Sequence, residues 1–316
     1  HLIEIKVMKT TIRSILLLAF TAIHSTTFAQ SPKKYLKIGK EFEEANNYTD
    51  ARDQYTKAID MDAQYVDAYI ARARTFEKMY QIQDAIQDYN RAATFDPDNK
   101  EVYYDLGRLH FKLTQPRKAI EYCNKAIQED SKYVDALILK TNCFIALNQF
   151  ANAQEVADQV LDLRKNTETY YLHGTVVAGV NDWGKAEFDF TKAIKYDETN
   201  VMAYVELSGA QLQLVKKDEA MQTCNDGMKI DEKNVHLYMA RAKVYHDMAD
   251  YPNAINDLSQ ALLLASPAQK NEVYVLRGRY YHEFGQSQGA INDFTKVLLV
   301  DADNFEALYS RAEAYE

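Results

Sequence analysis

Two histidines beside carboxylates are the first residues in this sequence whose types and spacing could do chemistry. His246 precedes Asp247 and His282 precedes Glu283, so imidazole and carboxylate groups occur together twice. A zinc site needs three or four converging ligands. No two histidines stand four residues apart, the spacing that would place them on one face of a helix. The sequence therefore predicts no metal site and no cofactor.

The three cysteines offer little more. Cys123, Cys143 and Cys224 form no C-x-x-C pair and are too few to staple a small disulfide-rich fold. A disulfide between Cys123 and Cys143 stays open, because sequence does not fix the distance between two side chains.

Catalytic motifs are missing from the chain. It contains no glycine-rich phosphate loop, no nucleophile elbow and no Ser-His-Asp order. Its formal net charge of -9 opposes the concentrated basic surface that phosphate binding needs, so no nucleic-acid partner is expected. We predict that the protein is not an enzyme.

The first thirty residues resemble an export signal. Lys9 and Arg13 precede an apolar run over 15–23, and Thr27 and Ala29 are the small residues that signal peptidase inspects. This pattern predicts a signal peptide over 8–29 and an exported bacterial protein, periplasmic or secreted. The run is shorter than the roughly 20 residues that span a bilayer, so we expect no membrane span after cleavage. A retained amphipathic anchor is the alternative.

The rest of the chain repeats with a period close to 34 residues. The recurring alanines are Ala51, Ala85, Ala119, Ala153, Ala186, Ala220, Ala254 and Ala290. A tyrosine stands sixteen residues before seven of these eight alanines, which accounts for part of the total of 23 tyrosines. Only 10 glycines and 5 prolines occur, too few for the turns of a many-stranded β fold.

Each repeat has the spacing of two helices. Counted from its first residue, apolar or small residues fall at positions 4, 8 and 11, and again at 20, 24 and 27. Separations of three and four residues place these side chains on one face of each helix. The eight repeats span 32–65, 66–99, 100–133, 134–166, 167–200, 201–234, 235–268 and 271–304. Residues 305–316 begin a ninth repeat, which we expect to be truncated.

This pattern resembles the tetratricopeptide repeat. The second repeat carries that family's aromatic residues at positions 4, 11 and 24 as Tyr69, Phe76 and Tyr89, with Ala73 and Ala85 at the small positions. The resemblance implies an all-α fold, a right-handed α-solenoid of helix–turn–helix repeats that binds other proteins. Four arginines replace the family's leucine at position 7, where we expect them to affect local rigidity. They are Arg72, Arg241, Arg277 and Arg311.

The resemblance also implies that the first helix of each repeat lines a groove for a peptide or an extended partner segment. Positions 5, 9 and 12 would face that groove. The candidate groove residues are Lys40, Arg74, Tyr104, Arg108, Ile138, Asn142, Tyr171, Leu212, Lys243 and Arg279. Basic ends around an apolar centre predict a partner with an apolar middle and acidic flanks. Alternatively, these cations are solvated or pair with acids at position 2, such as Asp67 and Glu101.

We therefore expect a non-catalytic protein–protein interaction scaffold, exported across the inner membrane. A second hypothesis makes the repeats the amino-terminal region of a larger enzyme or of an envelope-anchored complex component, with its functional domain beyond residue 316. Self-association through exposed repeat ends is a further possibility, because Leu308, Ala312 and Tyr315 of the ninth repeat have no second helix to cover them.

Overall fold

A computed structural model describes residues 31–316, and all of the regular structure in that range is α-helical. The predicted signal peptide lies outside the described residues. The helices are α1 (Pro32–Glu44), α2 (Tyr48–Met61), α3 (Val66–Lys78), α4 (Ile82–Phe95), α5 (Lys100–Lys112), α6 (Pro116–Glu129), α7 (Val134–Ala146), α8 (Phe150–Leu163), α9 (Thr167–Gly179), α10 (Trp183–Tyr196), α11 (Val201–Gln213), α12 (Lys217–Ile230), α13 (Val235–Asp247), α14 (Tyr251–Leu264), α15 (Pro267–Glu283), α16 (Ser287–Val300) and α17 (Phe305–Tyr315). The predicted all-α class is confirmed. Within residues 31–316, none of these helices combines the length and the apolar character that crossing a bilayer requires.

The helices form antiparallel hairpins that are grouped in two compact units. The first unit ends at Ser131 and the second begins at Lys132. Among the described residues, the first unit contains the hairpins α1–α2, α3–α4 and α5–α6, and the second contains the five hairpins from α7 to α16, followed by α17. Within each unit, every hairpin packs against the next one along the chain. Each unit is thus a stack of helix–turn–helix repeats.

The hairpin turns share one backbone conformation. One residue in each turn has a positive φ, which satisfies the last carbonyl groups of the first helix. In the first hairpin this residue is Asn46, and the N–H of Asn47 donates to the carbonyl of Phe42 at 2.8 Å. Asparagine tolerates the left-handed region, whereas Val215 occupies it at φ 62° at the expense of strain in a β-branched residue. A similar turn therefore forms from very different residues.

The first helix of the eighth repeat begins earlier than the first helices of the other repeats do. Helix α15 starts at Pro267, four residues before the predicted boundary at residue 271. Proline is well suited to the first helical position, and the side-chain oxygen of Gln269 accepts hydrogen bonds from the N–H and hydroxyl groups of Ser266 at 3.1 and 2.8 Å. These interactions extend the helix through the two residues that separated the predicted repeats.

In several hairpins the core combines a small residue at position 8 of the first helix with an aromatic residue at position 24 of the second helix. A Cβ atom added at Gly39 would overlap the Tyr55 ring, and one added at Gly174 would lie 2.8 Å from Phe190. The aromatic ring of the second helix therefore occupies the space beside the backbone of the first. This packing explains the small residues that recur at position 8.

Three of the four arginines at position 7 make ion pairs with buried aspartates at position 23 of the same repeat. Arg72 donates to both carboxylate oxygens of Asp88 at 2.7 and 2.8 Å. The pairs Arg241–Asp257 and Arg277–Asp293 have the same two-bond geometry. Each guanidinium also lies within 6.0 Å of aromatic ring centroids at positions 4 and 11. We refer to these pairs as the position-7 ion pairs.

Each position-7 arginine also bonds to the preceding repeat. The free terminal nitrogen donates to a polar side chain at position 25: from Arg72 to Thr56 at 3.0 Å, and from Arg277 to Ser259 at 2.8 Å. One side chain thus joins three helices. These arginines thus connect consecutive hairpins, and their effect on local rigidity stays a prediction.

In the fifth repeat a histidine takes the place of arginine. His173 is 6% exposed; its Nδ1 lies 2.5 Å from the Asp189 carboxylate and its Nε2 lies 2.9 Å from that of Asp158. Burial lowers the pKa of His173, but the hydrogen bonds to Asp189 and Asp158 outweigh burial and raise it above its ordinary value. His173 therefore bridges Asp189 at position 23 and Asp158 at position 25 of the preceding repeat, the two positions that the guanidinium joins in the arginine-containing repeats.

Candidate functional site

The candidate site lies on the surface that the first helices of the second unit present. We call this surface the first-helix face; it is made by side chains at positions 2, 5, 6, 9 and 12. Three cavities open along it. Together they include six of the ten predicted groove residues, namely Ile138, Asn142, Tyr171, Leu212, Lys243 and Arg279.

The largest of these cavities, about 530 Å³, is mainly apolar. Its walls include Ile138 and Ile145 from α7, and Tyr171 and Leu172 from α9. Ile138 and Ile145, at positions 5 and 12, share one face of α7, and the packing of α9 beside α7 brings Tyr171 and Leu172 to the same cavity. The cavity falls in the size range of ligand pockets in proteins, and its walls suit a bulky apolar group. We call it the apolar pocket.

Polar groups border the apolar pocket. Asn142 makes no side-chain hydrogen bond to any residue in the described range, whereas Thr175 donates its hydroxyl proton to the carbonyl of Tyr171 at 2.9 Å. Burial, followed by the nearby charge of Glu206, raises the pKa of Tyr171 to about 12, so its hydroxyl stays a hydrogen-bond donor at neutral pH. The pocket thus combines apolar walls with groups that can bind peptide N–H and C=O.

Charged side chains line the two smaller cavities, of about 230 and 300 Å³. Lys243 and Glu272 border both cavities. Arg279 lies 3.6 Å from Glu306, an acid at position 2 of the next repeat. Leu212 and Glu206 line the smaller cavity. This part of the face alternates in charge, in contrast to the apolar pocket.

In the first unit, two of the predicted basic groove residues have acidic partners. Arg108 lies 2.7 Å from Glu77 and 3.0 Å from Asp105, and Arg74 lies 3.8 Å from Asp105. Tyr104 is half-buried on the same helix as Arg108, and Lys40 is exposed on α1. The partners of Arg74 and Arg108 occupy positions 6 and 12, not the position 2 considered above. Much of the basic character at this end is therefore already neutralised, and the acidic flanks of the partner remain a prediction.

Sequence reasoning missed several residues of the first-helix face. Leu172 and Glu206 stand at position 6, and Thr167 and Asn200 stand at the starts of α9 and α11. Position 6 lies three residues before position 9, on the same helical face, and could have been included on that ground. Thr167 and Asn200 could not, because their contribution depends on how neighbouring hairpins stack.

His246 pairs with an acidic side chain and packs against an aromatic ring. Nε2 of His246 lies 2.6 Å from the Glu283 carboxylate, and the His246 ring stacks on Tyr280 at 4.1 Å between centroids. Within residues 31–316, no group of three or more histidine, cysteine or acidic side chains is placed to hold a metal ion. His246 is thus part of an aromatic cluster near the turn between α13 and α14.

The cysteines lie in the core. All three side chains are buried. Burial raises the pKa of Cys143 to about 12 and that of Cys224 to about 11, which suppresses the reactive thiolate. Neither of these two thiols is suited to nucleophilic chemistry at neutral pH.

Three segments of the chain match repeat-family models. Residues 81–113 match a model described as TPR repeat, and residues 113–173 and 272–304 match two models described as tetratricopeptide repeat. Among curated proteins, no sequence matches this chain.

Solved structures with the same fold include a tetratricopeptide repeat protein from Parabacteroides merdae, with a TM-score of 0.62 and 16% identity over 80% of this chain and 99% of that one. The Cut9–Hcn1 hetero-tetramer of the APC/C gives 0.61 and 16%, over 85% of this chain and 53% of that one. PilF from Pseudomonas aeruginosa gives 0.53 and 16%, over 69% and 98%. In three sequence segments, and in fold over most of its length, this chain is thus similar to tetratricopeptide-repeat proteins.

Proposed function

We propose that the protein is a non-catalytic scaffold whose second unit binds an extended peptide segment of a protein partner. Tetratricopeptide repeats are protein-interaction modules, which supports the general class of function. The observation that carries the finer proposal is the apolar pocket between Ile138 and Tyr171, with Asn142 at its edge. A bulky apolar side chain of the partner fills this pocket, and Asn142 and the Tyr171 hydroxyl bind its backbone.

Selection from a random peptide library tests the proposal. Twelve-residue peptides displayed on phage are enriched on the immobilised protein, and an enriched peptide is then labelled for fluorescence anisotropy. We expect enriched sequences to share a bulky apolar residue. Ile138→Asp places a carboxylate in the pocket wall and weakens binding by at least about tenfold.

Leu263→Asp is the matched control, because Leu263 is 78% exposed on α14, a second helix of the same unit. Its affinity for the enriched peptide stays within about twofold of the parent, since surface changes away from an interface contribute little. Failure to enrich any peptide, or equal affinities of Ile138→Asp and the parent, contradicts peptide binding at this pocket.

We further propose that the protein works outside the cytoplasm. The support is the charge and hydrophobicity pattern over 8–29. Expression of the full chain in a bacterium, with fractionation and intact-mass analysis, tests this proposal. A periplasmic or secreted product that begins at Gln30 is expected; recovery from the cytoplasm alone, with Met8 retained, contradicts it.

A further inference from the structure

Glu206 lies on the first-helix face, and its carboxylate forms no ion pair within the described residues. It lies at position 6 of the sixth repeat, on α11, and lines the cavity of about 230 Å³. Its side chain is half-buried, yet it makes no hydrogen bond and no ion pair with any residue in the described range. A carboxylate withdrawn from water in this way is unfavourable unless something else binds it.

Local electrostatics leave the Glu206 charge only partly compensated. Burial raises the pKa of Glu206, and Lys243 and His236 lower it without cancelling the effect of burial. The Lys243 side chain is exposed to solvent and acts on the Glu206 carboxylate through its charge, without a hydrogen bond or ion pair. Glu206 therefore retains the capacity to accept hydrogen bonds from a cation.

The third repeat shows what normally compensates an acid at this position. Asp105 also stands at position 6, and it pairs with Arg108 at position 9 of its own helix, at 3.0 Å. It also lies 3.8 Å from Arg74 at position 9 of the preceding repeat. Both neighbouring position-9 residues thus supply a cation to Asp105.

In the sixth repeat both of these cations are absent. Position 9 is Gly209 on the same helix and Thr175 in the preceding repeat. A Cβ atom added at Gly209 would meet nothing within 4 Å, so the glycine leaves open space next to the acid. In the third repeat a guanidinium occupies this place beside the acid. In the sixth repeat the corresponding space is empty of side chains and is open to a cation from a partner.

Glu206 also lies close to the apolar pocket. Its charge contributes to the raised pKa of Tyr171, whose side chain lines that pocket. We propose that Glu206 binds an arginine or lysine side chain of the peptide whose apolar residue fills the pocket; this proposal rests on the proposed function. Tyr171 lines the apolar pocket and Glu206 lines the cavity of about 230 Å³, so the partner motif is an apolar residue followed or preceded at fixed spacing by a basic one.

Peptide selection with the parent protein gives the first test. Enriched dodecapeptides are expected to carry lysine or arginine at a constant distance from the shared apolar residue. Enrichment of the apolar residue with no basic preference overturns the role of Glu206 and leaves peptide binding intact. If no peptide is enriched, both proposals fail.

A double-variant comparison gives the second test. Replacing the basic residue of an enriched peptide with glutamine is expected to weaken binding to the parent about tenfold, but to change binding to Glu206→Gln by less than about twofold. Equal loss for both proteins overturns the contact. Gly209→Arg copies the third repeat and supplies an internal cation for Glu206. It should weaken binding of the basic peptide about tenfold and leave binding of the glutamine peptide unchanged.

Glu198→Gln is the matched control, because Glu198 is an exposed carboxylate in the connection between α10 and α11. It is expected to bind the basic and the glutamine peptides as the parent does. A loss of basic preference in Glu198→Gln equal to that in Glu206→Gln would mean that net charge, and not this contact, selects the peptide.

Discussion

Asp257→Ala is expected to lower the free energy of unfolding of the second unit by about 3–5 kcal/mol. The substitution leaves the Arg241 guanidinium without the carboxylate that accepts two of its hydrogen bonds, at 2.7 and 2.9 Å. The side chains of the pair are only 22% and 4% exposed, so water cannot replace the carboxylate fully. Urea unfolding followed by circular dichroism measures the change.

The chain itself supplies the design of a compensating variant. The preceding repeat has Leu207 and Thr223 at the two positions of the pair and folds without an ion pair there. Arg241→Leu combined with Asp257→Thr removes both charges together, and we expect it to recover most of the stability lost in Asp257→Ala. Equal losses in the single and double variants would show that the cost comes from packing instead of an unpaired charge.

A surface ion pair provides the control for this comparison. Asp226 lies 2.6 Å from Lys229, and both side chains are largely exposed, at 42% and 70%. Asp226→Ala should therefore change the free energy of unfolding by less than about 1 kcal/mol.

Stability of the second unit is expected to fall as the pH rises above about 6.5, through the titration of His173. Below that pH the histidine is protonated in both the folded and the unfolded chain, and its contribution is fully present. At higher pH the unfolded chain releases the proton first, while Asp189 and Asp158 retain it on the folded protein. The free energy of unfolding then decreases by up to about 1.4 kcal/mol per pH unit until the folded-state pKa is passed.

His173→Arg should remove this pH dependence, because arginine stays charged and pairs with the aspartate at position 23 in three other repeats. The remaining charged groups near His173, Asp182 and Lys185, form their own pair at 2.9 Å and are present in both proteins. His282→Arg, at an exposed histidine of the same unit, is the control. Its free energy of unfolding should depend on pH as that of the parent does. Parallel stability curves for the parent and His173→Arg between pH 6 and 9 would contradict the assignment.

The sequence predicts the helical hairpins well because their signal is local and repeated. The tyrosine at position 4 and the small residue at position 8 mark buried helix faces, and each recurs in almost every repeat. Contacts between different helices are harder to predict. The aspartate at position 23 stands sixteen residues after the arginine at position 7, a separation that has no meaning within a single helix.

Predictions about the candidate site were limited for the same reason. Spacing along one helix placed Ile138, Asn142 and Tyr171 on the face where the apolar pocket forms. The residue types along one helix do not reveal that Arg108 forms an ion pair with Glu77, because Glu77 belongs to the preceding hairpin. Glu206 stands at position 6, outside the predicted groove positions 5, 9 and 12. The glycine at position 9 of the same helix, Gly209, is nevertheless visible in the sequence and shows that this helix lacks a cation there.

The bond from position 7 to position 25 of the preceding repeat sets a condition on which modules can follow one another. A hairpin that carries arginine can be duplicated or transplanted behind any hairpin that offers an acceptor at position 25, such as Thr56, Asn225 or Ser259. Behind an apolar residue at that position, one guanidinium nitrogen would lose its acceptor. In this chain position 25 is polar in all eight repeats, so every hairpin meets that condition and the order of the repeats is not restricted by it.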